Sequence, residues 1–115
     1  MVDYALQAAD IAAQRGISAE VIDLRTVSPL DEDAIIESVS RTTRLVIAHE
    51  AVVSGGIGVE IAARVADRAV WRLDAPVKRV GPPFAPAPYS PALEERWVPT
   101  VDDIVAAIDE VCATR

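Results

Sequence analysis

A chain of 115 residues that is 51% hydrophobic but only 4% aromatic has material for one core, built from Ala, Val, Ile and Leu. Its formal net charge of −7 disfavours nucleic acid and anionic membranes and favours a basic protein partner. One cysteine, Cys112, excludes an internal disulfide, no apolar run is long enough to span a bilayer, and Met1-Val2-Asp3 lacks a signal peptide's basic and apolar regions. A soluble, cytoplasmic α/β domain is the expectation.

Asp3 is placed to cap a helix through Arg15, with Ala5, Leu6, Ala9, Ala12 and Ala13 as its apolar face and Gly16 to end it. Ala19–Leu24 reads as a strand, with Val21, Ile22 and Leu24 its apolar residues. Ser28-Pro29 breaks the chain, and Asp31 caps a helix to about Ser40 with Ile35, Ile36 and Val39 turned inward. The run Leu45–Ala48 is short, apolar and β-branched ahead of a glycine-rich turn, so it reads as a buried strand. Gly55, Gly56 and Gly58 form that turn, and a helix follows over Ile57–Arg68. Strand, helix, strand, helix is the alternation of a parallel sheet covered on both faces.

Beyond Arg68 the elements shorten. Val70–Leu73 is brief, Asp74-Ala75-Pro76 turns the chain, and Val77–Val80 makes a last strand. Gly81–Pro91 holds Pro82, Pro83, Pro86, Pro88 and Pro91, a density that excludes helix and interior strand and leaves an extended arm. Ser90-Pro91 starts a single turn ending near Trp97. Thr100 caps the final helix with Asp103 in an approximate capping box, and Ile104, Val105, Ile108, Val111 and Cys112 form its apolar stripe.

In open α/β sheets chemistry gathers where strands end and helices begin, which points to His49–Gly58. The turn Ser54–Gly58 could hold an anion or nucleotide through backbone N–H groups. It lacks the third glycine of a dinucleotide fingerprint, since Ile61 stands there, and the lysine of a Walker loop. Tight strand-to-helix packing is the favoured reading of its glycines. His49 is the sole histidine, so a multi-histidine metal site is excluded. Beside Glu50 it could serve acid–base work, although a hydrogen-bonded structural or interface histidine is favoured. Asp74, Asp102, Asp103, Asp109 and Glu110, with Trp97 nearby, form either an acidic docking patch or a solvated helix face. Taken together, the chain's polar residues make no complete catalytic set.

Five stretches read together carry a resemblance: Glu20–Asp31 (EVIDLRTVSPLD), His49–Ala63 (HEAVVSGGIGVEIAA), Leu73–Val80 (LDAPVKRV), the proline arm through Tyr89, and Pro99–Ile108 (PTVDDIVAAI). Over essentially its whole length the chain resembles the carboxyl-terminal domain of the β subunit of thiamine-diphosphate-dependent 2-oxoacid dehydrogenase E1 components, of the branched-chain or pyruvate type. His49-Glu50-Ala51 followed by Gly55-Gly56 is closer to the branched-chain members. The resemblance implies a three-layer α/β/α fold with a mostly parallel sheet, like the transketolase carboxyl-terminal domain. It also implies an assembly and E2-docking role without catalysis by this chain alone. Thiamine diphosphate and magnesium would belong to the complete E1, bound elsewhere. The implied partners are the E1 α subunit, a second E1 β subunit and the basic subunit-binding domain of E2, whose acidic contacts in the family fall on Asp74 and Asp103.

The family's cofactor-binding half has no counterpart here, nor do the strands that precede its first helix. The expectation is therefore a single domain over 1–115 that is a fragment of a longer E1 β subunit. Folded alone, it would either rearrange its sheet or take a second chain into the gap, because an unpaired buried backbone edge is costly.

Overall fold

The computed structural model describes residues 1–113. Its elements are helix α1 (Val2–Gln14), helix α2 (Glu32–Thr42), strand β1 (Val46–Ala48), helix α3 (Ile57–Ala69), a single 3-10 turn (Val70–Arg72), strand β2 (Lys78–Val80), and helices α4 (Pro91–Trp97) and α5 (Val101–Ala113). β1 and β2 pair in parallel, Val46 opposite Lys78 and Ala48 opposite Val80.

Three layers follow from the alternation of side chains along β1. Ile47 points to one face, where it joins Ile35 and Val39 of α2 and Ile61 and Val65 of α3. Val46 and Ala48 point to the other, where Ala8 and Ala12 of α1 meet Ile104, Val105 and Ile108 of α5. The α/β/α architecture is thus as expected, around a sheet of two strands.

Local signals act where they were read. The Asp31 side chain accepts the Ala34 N–H at 3.1 Å and starts α2. Thr100 and Asp103 close their box: the Asp103 carboxylate accepts Thr100 N–H at 2.8 Å, and Thr100 Oγ1 accepts Asp103 N–H at 3.2 Å. Gly16, at φ +82°, ends α1 in the left-handed conformation.

Three expectations are corrected. Asp3 lies inside the first turn of α1, whose N-cap position is Met1, and the Asp3 side chain caps nothing. The buried stripe of α1 is Ala8 and Ala12, while Leu6 and Ala13 are exposed. Ala19–Leu24 is not a strand, because among the described residues no neighbouring strand offers it a hydrogen-bond ladder. Glu20 ties the segment to α2 through Arg41 at 2.8 Å, and Ile22 is left exposed.

Candidate functional site

At the carboxyl end of β1 the chain enters the turn that leads to α3, and His49 is the hub of that turn. Its Nδ1 lies 2.7 Å from the Ala51 carbonyl, and its Nε2 accepts the Gly58 N–H at 3.3 Å. A carbonyl only accepts and an amide N–H only donates, so these partners assign the ring proton to Nδ1.

Glycines make room for the ring. A β-carbon on Gly58 would stand 2.5 Å from Nε2, and one on Gly56 would stand 2.5 Å from the Val52 carbonyl and 3.0 Å from His49 Cε1. One on Gly81, just past β2, would stand 2.8 Å from the Ala51 carbonyl and 3.2 Å from Cε1. The imidazole therefore fills the contact between β1, β2 and the start of α3, with both nitrogens engaged.

This geometry bears on the anion reading of Ser54–Gly58. The Gly58 N–H in the first turn of α3, one of those an anion would use, already binds His49. Gly55, at φ +76°, shapes the turn. Arg79 is held near it by donating to the Val53 carbonyl at 2.8 Å. Glu50 is exposed and sits 3.9 Å from the Met1 amino group. The side chains of His49 and Glu50 thus diverge, one inward and one to solvent. Among the described residues no group of three or more His, Cys, Asp or Glu side chains gathers in a way that could hold a metal ion.

The carboxylates singled out in the sequence do not converge either. Asp74 lies before β2: its N–H donates to Thr43, and its carboxylate is 3.8 Å from Arg44 Nη1. Arg44 in turn donates from Nε to the Val111 carbonyl at 2.9 Å, which places Asp74 by the last turn of α5. Asp103 sits in the first turn of the same helix, so the two are about 12 Å apart along its axis at 1.5 Å per residue. Both side chains are exposed. Asp109 pairs with Arg15 and Glu110 with Lys78, so only part of the acidic set is unneutralised. Asp103 also shares a shallow depression with Trp97, Arg79 and Arg96, so its surroundings are of mixed charge.

Two features were not read from the sequence. One is an ion-pair network across α2 and α3. Glu32 accepts from Arg64 at 3.1 Å and from Arg68 at 3.0 Å, and Arg68 also donates to Asp33 at 3.0 Å. The Arg68 hydrogen bond, seconded by Arg64, holds the Glu32 carboxyl below its ordinary range against a smaller opposing effect of desolvation. The arginines at Arg64 and Arg68, one helical turn apart, mark a basic face of α3 but do not name its partner on α2. The other is a cavity of about 590 Å³ between β1 and residues 17–25.

Comparison with known proteins agrees with this architecture. The chain belongs to the family described as the transketolase carboxyl-terminal domain, whose family model matches residues 1–104. Among its relatives is the β subunit of acetoin:2,6-dichlorophenolindophenol oxidoreductase from Bacillus subtilis, 49% identical over 110 residues, covering 96% of this chain and 32% of that one. A mitochondrial pyruvate dehydrogenase E1 β subunit from Oryza sativa is 50% identical over 112 residues, covering 97% and 30%. The 2-oxoisovalerate dehydrogenase β subunit of Bacillus subtilis is 43% identical over 111 residues, covering 96% and 34%. A solved structure titled as a split-gene transketolase, an inactive β4 tetramer, superposes with a TM-score of 0.82 at 30% identity, covering 99% of this chain and 36% of that one. The chain thus spans about a third of the length of the curated relatives it matches. Identity does not favour the branched-chain relative over the pyruvate and acetoin ones, so the sequence leaning toward branched-chain members is not carried further.

Proposed function

We propose that this chain is the assembly and E2-docking domain of the E1 β subunit of a 2-oxoacid dehydrogenase complex and carries no catalytic group of its own. The observation that supports it is the division of labour among its polar side chains. His49 commits one ring nitrogen to the Ala51 carbonyl of its own turn and the other to the Gly58 N–H of α3, while Asp74 and Asp103 stay exposed. In this reading thiamine diphosphate and magnesium are held by other parts of the complete enzyme, and the glycine turn here serves to admit the His49 ring.

The partners are the E1 α subunit, a second E1 β subunit and the basic subunit-binding domain of E2. Exposed Trp71, Phe84, Tyr89 and Leu93 on the 3-10 turn, the proline arm and α4 are the side-chain types that subunit contacts bury. Asp74 and Asp103 pair with Arg or Lys of the E2 domain. A face of about 800 Å² is roughly 30 Å across, wide enough to reach both ends of α5.

The test is calorimetric titration of the full chain with an isolated E2 subunit-binding domain. Asp103→Asn is the informative variant, because an amide oxygen can keep the cap on Thr100 while the charge is lost. A desolvated pair is worth about 1–3 kcal/mol, a weakening of roughly 5- to 150-fold. Unchanged affinity for both Asp103→Asn and Asp74→Asn removes the docking assignment.

A further inference from the structure

From Lys78 to Pro82 every second residue bonds inward. Lys78 N–H donates to the Leu45 carbonyl at 3.1 Å, the Val80 carbonyl accepts His49 N–H at 3.0 Å, and the Pro82 carbonyl accepts Val53 N–H at 3.1 Å. In extended chain the backbone groups of alternate residues face opposite edges, so those of Arg79 and Gly81 face away from β1. Neither makes a backbone hydrogen bond on that outer edge among the described residues. On β1 the same alternation turns Val46 and Ala48 to the sheet's other free edge, at the cavity.

Beside the outer edge of β2 lies a groove of about 330 Å³, lined by Arg79, Val80 and Gly81 and by the stretch Arg96 to Pro99 that leads out of α4. Two of its lining residues are arginines without a carboxylate partner. Arg79 is steadied by the Val53 carbonyl, which takes one of its N–H groups at 2.8 Å and leaves the rest of the guanidinium open. Arg96 makes no side-chain hydrogen bond or ion pair among the described residues. Asp103 lines the same groove, but its carboxylate accepts from the N–H and hydroxyl of Thr100 and pairs with neither arginine. The chain has 18 acidic residues against 11 basic ones, and Arg15, Arg25, Arg41, Arg44, Arg64 and Arg68 each meet a carboxylate. Two unneutralised guanidinium groups in one groove of such a chain therefore call for an anion from outside it.

We propose that the outer edge of β2 is a docking site for an extended acidic segment of a partner protein. The segment's main chain bonds the backbone groups of Arg79 and Gly81, and one carboxylate side chain pairs with the Arg79 and Arg96 guanidinium groups. A strand complements an edge that offers both N–H and C=O groups, which a free oxyanion, an acceptor only, does not. The ladder is short because Pro82 and Pro83 have no N–H to add, so about three residues, roughly 10 Å, engage. This site takes a partner of opposite charge to the E2 domain, and the inference stands whether or not the E2-docking reading does.

The experiment uses the full chain carrying Trp71→Phe, an exposed position, so that Trp97 in the groove is the sole indole. The probe is a capped pentapeptide with a central glutamate flanked by valines and ended by threonines. One control has glutamine at the centre, and another is N-methylated at every interior amide. The expected result is a saturable change in Trp97 fluorescence with the glutamate peptide, with each control at least tenfold weaker. Amide exchange at Arg79 and Gly81, read by NMR, should slow at least fivefold at saturation. Arg96→Gln should weaken the peptide at least tenfold at an unchanged melting temperature, since that side chain holds nothing in the fold. Asp103→Asn should tighten the peptide at least twofold, the opposite of its effect on the E2 domain. No binding, equal binding of either control, or binding without protection at Arg79 and Gly81 overturns the proposal. So does inorganic phosphate that binds as tightly as the peptide, which would make the groove a site for small anions.

Discussion

His49 and Gly58 hold each other in place: the ring nitrogen Nε2 accepts the glycine N–H at 3.3 Å, and any β-carbon at position 58 would stand 2.5 Å from that same nitrogen. The ring has no room to retreat, because Gly56 and Gly81 give it their bare backbones on other sides. Gly58→Ala should therefore destabilise the chain by about 1–3 kcal/mol through overpacking. His49→Ala should cost a similar amount, about 1–3 kcal/mol, by leaving the Gly58 N–H unpaired. In the double variant the clash and the hydrogen bond vanish together, so its loss should fall short of the sum by at least 0.5 kcal/mol. Urea titration of the four proteins checks this, and strict additivity would show that the two residues are not coupled.

Glu32 makes the stability of the α2–α3 pair depend on pH. Hydrogen bonds from Arg68 and Arg64 lower its folded carboxyl pKa below that of the unfolded chain. The stabilisation is therefore complete above the unfolded value, about 4.3 for a glutamate, and is lost as pH falls through the folded one. Glu32→Gln should lower the melting temperature at pH 7, and the gap to the parent should close on acidification to pH 3. A gap that persists undiminished in acid would mean that packing, not charge, sets it.

What could be read from the sequence divides along the reach of each interaction. The caps at Asp31 and at Thr100 with Asp103, and the stop at Gly16, join residues at most a few positions apart and act as read. Ala19–Leu24 has strand composition, but a ladder needs a neighbour, and composition cannot supply one. Glu32 and Arg68 are 36 positions apart, and no local pattern announces that pair. His49 was singled out with its glycines. That the glycines exist to admit its ring became visible only when Gly81, beyond the second strand, was seen on the same ring.

Asp103 has two roles that substitution can separate. Its carboxylate accepts from both the N–H and the hydroxyl of Thr100, each at 2.8 Å. Asp103→Ala should cost about 1 kcal/mol by leaving the Thr100 N–H without its acceptor and the Thr100 cap unsupported, whereas Asp103→Asn should stay within a few tenths of the parent. Thermal melts of the two variants measure this. Equal losses for both would assign the stability to the charge at the helix N-terminus instead of to the cap.

Ala12 controls how closely α1 approaches α5. Ala8 and Ala12 are both fully buried against Ile104, Val105 and Ile108, and with methyl side chains one turn apart the helices can pack at the short end of the usual 8–10 Å separation. Leucine at position 12 adds three carbons to a contact without space, so Ala12→Leu should cost about 1–3 kcal/mol. Ala13→Leu, one residue on and exposed, should change stability by less than about 0.5 kcal/mol. Ala5 and Ala9 of the same helix line the cavity beside β1, so pushing α1 outward should also widen that cavity. Exchange at Val46 and Ala48 should then quicken in Ala12→Leu and not in Ala13→Leu. Unaltered exchange in both would show that α1 moves without disturbing the free edge of the sheet.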